Sequence, residues 1–276
     1  MSLDRVRIVL VQTSHPGNIG AAARAMATMG LARLVLVAPR RFPHPDAVAM
    51  ASGATAVLDR AQVVDALDDA LAGAVLTIGL SARRRELAAR VLPVREACVD
   101  AWRHAQQGDV ALVFGTEMSG LSNAELARCS MVATIPADPR YSSLNLAAAV
   151  QVVAYELRMA GQGGAVWRAP RFAPATHDEI EALHAHALRT LAALRFFDPA
   201  HPRRLAARLR RLFARAGLER EEVNILRGIL ASVDRMQARE AGQDSRSQPS
   251  AGPSAASPDT APAPAAPPRR ADPSSR

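Results

Sequence analysis

This chain of 276 residues contains no lysine. Its 34 basic residues are all arginine, and it has 26 acidic residues. No Gly-Lys-Ser/Thr sequence therefore exists, which excludes a phosphate-binding P-loop. Alanine is also abundant, and the two biases together are typical of an effect of codon composition. The use of arginine in place of lysine therefore carries little functional information. Cysteine is also scarce. Cys98 and Cys129 alone favour a reducing compartment over a disulfide framework, and we expect a cytoplasmic protein.

Long apolar runs are absent as well. No apolar segment is long enough to span a bilayer, and Asp4, Arg5 and Arg7 interrupt the apolar start that a signal peptide needs. We therefore predict no membrane partner. Aromatic residues make up 4% of the chain and hydrophobic residues 49%. This composition predicts a core built mainly from Ala, Leu and Val, sufficient for one large domain or two small ones.

Positive charge is present in excess but is distributed unevenly. The formal net charge is +8 and the pI is about 11.0, which indicates a polyanionic partner. Residues 165–240 contain 14 arginines and nine acidic residues, whereas residues 1–164 contain 16 arginines and 14 acidic residues. The basic excess therefore belongs mostly to the second segment.

The first 160 residues alternate short apolar runs with helical patterns. Continuous apolar strands separated by helices predict an α/β fold with a parallel sheet that is covered on both faces. The predicted strands are Ile8–Val11, Leu34–Val37, Val75–Leu80, Val110–Phe114 and Val132–Ile135. The predicted helices are Ala21–Met29, Val63–Leu71, Val94–Ala105 and Asn123–Cys129. Ligands of such folds bind at the carboxyl ends of the strands.

The pattern changes after residue 160. Glycines and prolines in residues 161–175 predict a linker. Residues 176–240 return to helical periodicity, with predicted helices at Asp178–Leu194, Pro202–Ala216 and Glu221–Arg239. Residues 241–276 are rich in Pro, Ala, Ser and Gly, which predicts a disordered tail.

The segment Ile135–Asn145 contains the most informative pattern. A short apolar strand ends in a loop with two prolines, and Ser-Ser-Leu-Asn then enters an apolar helix that begins at Leu146. A helix with apolar residues on almost every side is expected to be buried on most of them. The free N–H groups of a helix start suit a polar ligand, and an ordinary N-cap is the equally plausible alternative.

Three further segments follow predicted strand ends. In His15–Arg24, small residues would let the backbone approach a partner closely, although a tight turn followed by a solvated arginine explains the same pattern. In Phe114–Leu121, a glycine is followed by Glu117, which suits a ribose or amine contact. Gly79–Arg85 ends in three arginines, a pattern more often found on a solvated face. The glycine spacing differs from the dinucleotide fingerprint, which argues against a nicotinamide-dependent oxidoreductase.

Taken together, three motifs resemble those of the SpoU (TrmH-type) branch of the SPOUT RNA 2′-O-ribose methyltransferases. They are Asn18-x-Gly20-x-x-x-Arg24, Phe114-Gly115-x-Glu117-x-x-Gly120-Leu121 and Ser142-Ser143-Leu144-Asn145-Leu146. The resemblance covers residues 5–160. Residues 209–216 and 223–232 are similar to the C-terminal extension of the members that methylate cytidine or uridine at nucleotide 32 of the tRNA anticodon loop.

The resemblance implies a deep trefoil knot at the C-terminal side of the sheet, a homodimer and S-adenosylmethionine as cofactor. It implies catalytic roles for Arg24, Asn18 and Asn145. It assigns cofactor contacts to Leu80, Ser81, Ala82, Gly115, Glu117, Ile135, Ser142, Ser143 and Leu144. Two positions depart from the usual family residues: Leu80 stands in place of Thr and Thr116 in place of Arg.

The resemblance also implies a tRNA partner, and several side chains are candidates to bind it. Near the motifs they are His15, Arg83 and Tyr141; a turn role for His15 and loop packing for Tyr141 are equally plausible. In the helical segment they are Arg204, Arg208, Arg211 and Arg215, whose spacing places them on one helix face. Methylation of another tRNA position or of rRNA, and a non-catalytic RNA-binding protein, stay open as alternatives. No metal site is predicted.

Overall fold

The computed structural model describes residues 2–82, 90–162, 172–201 and 204–244. Contacts group residues 1–237 into one compact unit and residues 238–276 into a second, of which the description covers only a helix end. Arg83 and the predicted tail from residue 245 onward lie outside the described residues. No helix in the described part of the chain combines the length and apolar character needed to cross a membrane.

Seven parallel strands form one sheet, and the predicted parallel arrangement is confirmed. The strands are β1 (Val6–Val11), β2 (Arg33–Val37), β3 (Gln62–Val64), β4 (Ala74–Leu80), β5 (Val91–Pro93), β6 (Asp109–Phe114) and β7 (Met131–Thr134). Their order across the sheet is β3-β2-β1-β6-β4-β7-β5. Strand β6 is thus inserted between β1 and β4, and β7 between β4 and β5, so neighbours in sequence are separated in space.

Helices cover both faces of this sheet. A short 3₁₀ turn at Ser2–Arg5 precedes the first strand. The helices are α1 (Pro16–Met29), α2 (Pro45–Ala51), α3 (Thr55–Asp59), α4 (Leu67–Leu71), α5 (Val94–His104), α6 (Asn123–Ala127), α7 (Leu146–Gln162), α8 (His177–Ala193), α9 (Leu205–Ala216) and α10 (Arg220–Asp244). Alternate residues of β1 explain the layering: Ile8 and Leu10 pack in the core with α1, α5 and α7, whereas Val9 and Val11 pack with α4 and α6. Burying such a side chain contributes roughly 1.5–3 kcal/mol.

The five central strands are confirmed, and two edge strands escaped prediction. Strands β3 and β5 each have three residues and lie at the two edges of the sheet, so they carry no continuous apolar run. The predicted helix Val63–Leu71 is wrong in its first part, because residues 62–64 pair with β2 as a strand and the helix α4 begins only at Leu67. Pairing with a neighbouring strand there overrides the local pattern.

Helix α7 follows the motif segment that ends at Asn145. The Asn145 side chain accepts hydrogen bonds from the backbone N–H groups of Ala147 (2.9 Å) and Ala148 (3.4 Å), so it caps the helix. One face of α7 packs against α1 and α5 and is buried. Tyr155, on another face, is 48% exposed. In the single chain, the predicted burial on most sides is therefore incomplete.

Helices α8, α9 and α10 form a small core of their own. Thr176 caps α8 in a reciprocal arrangement with Glu179, which fixes the start of that helix. Leu183 and Val223 are buried at the centre of this core, separate from the two cores beside the sheet. The helix predicted from Pro202 is observed from Leu205, and the last helix continues past the predicted tail boundary to Asp244.

Candidate active site

A cavity of about 270 Å³ opens at the carboxyl ends of β4, β6 and β7, the edge where ligands of parallel sheets bind. The loop after β7 and the start of α7 form its remaining wall. This arrangement follows from the strand order, because β4 lies between β6 and β7 and all three strands point the same way. Segments that are far apart in sequence therefore end side by side.

All nine residues predicted to bind the cofactor line this one cavity. They are Leu80, Ser81, Ala82, Gly115, Glu117, Ile135, Ser142, Ser143 and Leu144. Sequence reasoning missed seven further lining residues: Phe114, Thr116, Met118, Ser119, Gly120, Leu146 and Ala149. Six of these seven lie within the spans of the second and third motifs, so reading each motif as a continuous segment finds them. Ala149 needs helical periodicity instead, since it lies one turn after Asn145.

The second motif forms a tight turn against the cavity. The Thr116 hydroxyl lies 2.8 Å from that of Ser119 and accepts a hydrogen bond from the Ser119 N–H at 3.2 Å. A β-bridge joins Thr116 to Gly120 and closes the turn. A side-chain carbon added at Gly115 would lie 2.2 Å from the backbone at Gly120 and Leu121, so only glycine fits there. Thr116, one of the two departures from the family pattern, thus stabilises the turn.

Glu117 connects this turn to the beginning of α1. Its carboxylate accepts hydrogen bonds from the Ser14 N–H at 3.1 and 3.2 Å and from the Ser14 hydroxyl at 3.1 Å. The His15 N–H and the Asn18 side-chain amide donate to the same carboxylate, each at 3.1 Å. The negative charge lies beside the positive end of the α1 dipole, which also favours it. The described contacts of Glu117 thus hold the first motif, although the residue lines the cavity.

These hydrogen bonds lower the pKa of Glu117 to about 2, with Asn18, Ser14 and His15 as donors, and they outweigh the desolvation that would raise it. The carboxylate is therefore ionised throughout the neutral range. It gives the cavity wall a permanent negative charge.

Asn18 and Asn145 bring the first and third motifs together. The Asn145 side-chain amide donates to the Asn18 side-chain oxygen at 3.2 Å, and Asn18 donates in turn to Glu117. A chain of side-chain hydrogen bonds thus runs through Glu117, Asn18 and Asn145, one residue from each motif. Ser14, which the sequence analysis did not single out, is a further member. The pattern His-Pro after a polar pair at a strand end was its only sequence signal.

The predicted catalytic and RNA-binding side chains that the structure describes lie outside the cavity lining. Arg24 is exposed two turns into α1 and has no ion pair among the described residues. His15 is the N-cap residue of α1 and is exposed, and its backbone rather than its ring contacts Glu117. Tyr141 is 83% exposed beside the cavity residue Ser142. Arg83 lies outside the described residues.

The predicted arginine face belongs to α9 and its N-cap residue. All four of its members are exposed: Arg204, Arg208, Arg211 and Arg215. Arg210, on another side of the helix, instead pairs with Glu181 of α8. The structure thus brings the four arginines together as one basic surface, separate from the cavity.

We expect the low pKa of Glu117 to make stability depend on pH. Because its pKa is about 2 when folded against an ordinary value of 4.5, its contribution is complete above about pH 4.5 and is lost as the pH falls towards 2. Unfolding by urea should therefore show a stability deficit of Glu117→Gln that is larger at about pH 6 than at about pH 3. The exposed Asp59→Asn serves as the control. A Glu117→Gln deficit of equal size at both pH values would contradict the assignment.

Comparison with known proteins agrees with this geometry. The family model described as SpoU rRNA Methylase family matches residues 5–155, which include all three motifs, and more than half of the chain. The chain therefore belongs to the SpoU methylase family. A second family model, described as the C-terminal domain of the tRNA methyltransferase TrmJ, matches residues 178–244.

Relatives that match most of this chain include TrmJ enzymes. The chain is 51% identical over 251 residues to the tRNA (cytidine/uridine/adenosine-2′-O-)-methyltransferase TrmJ of Pseudomonas aeruginosa, covering 85% of this chain and 95% of that protein. It is 48% identical over 236 residues to the tRNA (cytidine/uridine-2′-O-)-methyltransferase TrmJ of Pectobacterium atrosepticum, covering 84% and 98%. The crystal structure of TrmJ from Z. mobilis matches with a TM-score of 0.72 and 33% identity, over 83% and 98% of the two chains.

Proposed function

We propose that this protein transfers a methyl group from S-adenosylmethionine to the ribose 2′-oxygen of cytidine or uridine at position 32 of the tRNA anticodon loop. The observation that carries the proposal is the convergence of the three motifs on one cavity, through the hydrogen-bonded residues Glu117, Asn18 and Asn145. The names of the TrmJ relatives support the tRNA substrate and the 2′-oxygen. The site of action would be the cytoplasm.

The cavity suits the proposed cofactor in its chemistry. Leu80, Ile135 and Leu144 offer apolar surface for a purine ring, while Ser81 and Ser142 offer hydroxyl groups for a ribose and an amino acid moiety. The ionised Glu117 favours a cation nearby. Bound there, S-adenosylmethionine would supply an electrophilic methyl group on a positively charged sulfur.

Arg24 is the proposed catalytic residue. Guanidinium groups keep their proton in proteins, so Arg24 is a poor general base. We assign it instead to clamp an RNA phosphate and to stabilise the negative charge that develops on the 2′-oxygen. The proton would leave through the phosphate or a water molecule. Alignment of the two reacting atoms contributes about 7–11 kcal/mol in favourable systems.

A trefoil knot and a homodimer are part of the proposal. The insertion of β6 and β7 among earlier strands is the strand order that threading of the chain at the C-terminal side would require. The exposed side of α7, with Tyr155, offers apolar surface for a second subunit. Burial of that side in a dimer would complete the coverage that the sequence of α7 predicts.

The proposed tRNA-binding surface is the arginine face of α9, made of Arg204, Arg208, Arg211 and Arg215. Its four side chains are exposed on a segment that also holds most of the net positive charge. The match of residues 178–244 to the TrmJ C-terminal domain supports this assignment over action on rRNA. Domain limits of 1–160 for catalysis and 176–240 for tRNA binding, joined by residues 161–175, fit the two family matches.

Charge reversal on this face should weaken tRNA binding. In Arg208→Glu/Arg211→Glu, we expect a lower affinity and a flatter salt dependence, with the slope of log K against log salt reduced by about 1.5–2 because two phosphate contacts are lost. Filter binding across a salt series measures both quantities. The exposed Arg60→Glu, on the sheet domain, is the matched control. Affinity and slope equal to those of the wild type would refute the assignment.

Two measurements test the proposed function. Calorimetry with S-adenosylmethionine should show one binding site. Absence of binding would exclude catalysis and would favour a non-catalytic RNA-binding protein. Incubation with an unmodified tRNA transcript, followed by mapping of 2′-O-methyl groups, should place the product at nucleotide 32. A product at another tRNA position would favour that position as the target, and methylation of rRNA alone would favour rRNA as the substrate. Transcripts with cytidine, uridine or adenosine at that position would define the accepted bases.

A further inference from the structure

A cluster of charged residues joins α8 and α9 to the sheet, at the edge opposite the cavity. Asp68 belongs to α4 and Arg128 is the C-cap residue of α6, and both precede the strands that lead to the cavity. Strand β4 runs from Ala74, near this cluster, to Leu80 in the cavity wall. Its seven residues span about 20 Å at 3.3 Å per residue. The helices are thus attached about one strand length from the proposed reaction site.

Arg128 is the centre of the cluster. Its guanidinium lies 2.8 Å from the Glu181 carboxylate of α8 and 3.1 Å from the Asp68 carboxylate of α4. The other oxygen of Glu181 accepts a hydrogen bond from Arg210 of α9. One arginine of the sheet domain and one of the helices therefore share a single carboxylate. We name Asp68, Arg128, Glu181 and Arg210 the interdomain clamp.

Neighbouring contacts fix the start of α8 on the same surface. Asp178 accepts a hydrogen bond from the Gly73 N–H at 3.0 Å, and His177 lies 3.5 Å from Asp68. Arg210 is held from its own side as well, since it lies 3.2 Å from a ring nitrogen of His184, whose other nitrogen is 3.0 Å from the Ala206 carbonyl oxygen. Burial lowers the pKa of Arg210 to about 10, with the nearby charge of Arg128 adding to the effect.

The junction between the helices and the sheet is polar. Apolar contacts would define the orientation of the helices less well. The hydrophobic core of α8–α10 is separate from the cores beside the sheet, and hydrogen bonds and ion pairs link the two parts. Such contacts depend on direction, so they define one orientation of the helices. Arg210 lies on the same helix as the exposed Arg208 and Arg211, which transmits that orientation to the arginine face.

We propose that Arg128 and Glu181 are positioning residues that hold the arginine face at a set distance from the methyl-transfer site and so select the nucleotide that is methylated. The inference rests on the proposed tRNA methylation. A tRNA gripped by the arginine face can present only those nucleotides that lie at the matching distance along its surface. Loosening the clamp would leave the chemistry intact but would lower the fraction of free enzyme whose arginine face stands at the matching distance, which raises the KM for tRNA.

Arg128→Met in the full-length protein tests this inference, because it removes the charge and keeps much of the side-chain volume. We expect the KM for tRNA to rise about tenfold, as for loss of a half-buried ion pair, while kcat changes less than about twofold. The affinity for S-adenosylmethionine should stay unchanged. Mapping should detect 2′-O-methyl groups at neighbouring nucleotides. Arg90→Met is the matched control, since Arg90 pairs with Asp100 at 2.9 Å within the sheet domain.

Glu181→Gln provides a second variant, which changes only the helical side and serves if Arg128→Met does not fold. The double variant Arg128→Met/Glu181→Gln should show a KM no higher than that of the more affected single variant, because the two residues act through one contact. Additive effects, an unchanged KM, or parallel losses in kcat and cofactor affinity would each overturn the inference. Hydrogen exchange in the first turn of α8 should quicken in either variant. This readout separates a failed clamp from a failed function if the wild type itself transfers no methyl group to tRNA.

Discussion

Replacing Arg24 by alanine is expected to lower methyl transfer about 10²–10³-fold, the usual effect of removing one donor to a developing oxyanion. Arg24 is exposed on α1, and no described residue neutralises its charge, so its guanidinium is free to meet RNA. Because it lies outside the cavity lining, the affinity for S-adenosylmethionine should stay within about twofold of the wild type. Single-turnover transfer to tRNA and calorimetry with the cofactor measure the two effects separately.

Arg24→Lys distinguishes a guanidinium fork from a simple positive charge. Lysine keeps the charge but lacks the planar pair of donors that binds a phosphate at two points. A loss nearly as large as that of Arg24→Ala is expected. Turnover close to normal would rule out geometric clamping by a fork. Arg60→Ala, an exposed arginine at the end of α3, serves as the control and should leave transfer unchanged.

Gly115→Ala should weaken cofactor binding by a comparably large factor. The added carbon would approach the backbone of Gly120 and Leu121 to 2.2 Å, so the turn that forms one cavity wall has to move. Overpacking of this kind costs about 1–3 kcal/mol in stability. Displacement of Glu117 would also disturb the contacts that hold α1. We expect the Kd for S-adenosylmethionine to rise about 100-fold, measured by calorimetry, together with a lower urea midpoint.

Gly228→Ala is the matched control for this substitution. Gly228 lies inside α10, where no described atom beyond its own stretch of helix lies within 4 Å of an added carbon. Alanine favours helix there by roughly 0.5–1 kcal/mol, so this variant should be as stable as the wild type or more stable, with normal cofactor affinity. Normal affinity in Gly115→Ala as well would mean that the turn does not shape the cofactor site.

The hydrogen-bond partners of Glu117 are not predictable from its sequence motif. The sequence pattern predicts that this carboxylate contacts the cofactor, and its position in the cavity wall leaves that contact possible. Its described hydrogen bonds, however, go to Ser14, His15 and Asn18, about a hundred residues earlier in the chain. No local pattern around Glu117 carries information about those partners. Only the pairing of β1 with β6 brings them together.

The interdomain clamp is a second case of the same kind. Arginines in the helical segment look alike in sequence, and their spacing assigns Arg208 and Arg211 to an exposed face, as observed. Spacing alone puts Arg210 off that face but identifies no partner for it. Its pairing with Glu181, and that of Glu181 with Arg128, depends on how α8 and α9 pack beside the sheet. The distance between this junction and the cavity is likewise a property of the assembled sheet.

The sequence by itself determined the parallel α/β class, the five central strands, the helices α8–α10 and the segments that line the cavity. Each of these follows from a pattern within about 20 residues: an apolar run, a helical period or a family motif. Tertiary structure alone decided the strand order, the edge strands β3 and β5, the partners of Glu117 and the clamp at Arg128. These depend on contacts between residues about 27 to 103 positions apart. The free energies of such contacts are set by the packing of the whole chain, so they leave no local periodicity in the sequence.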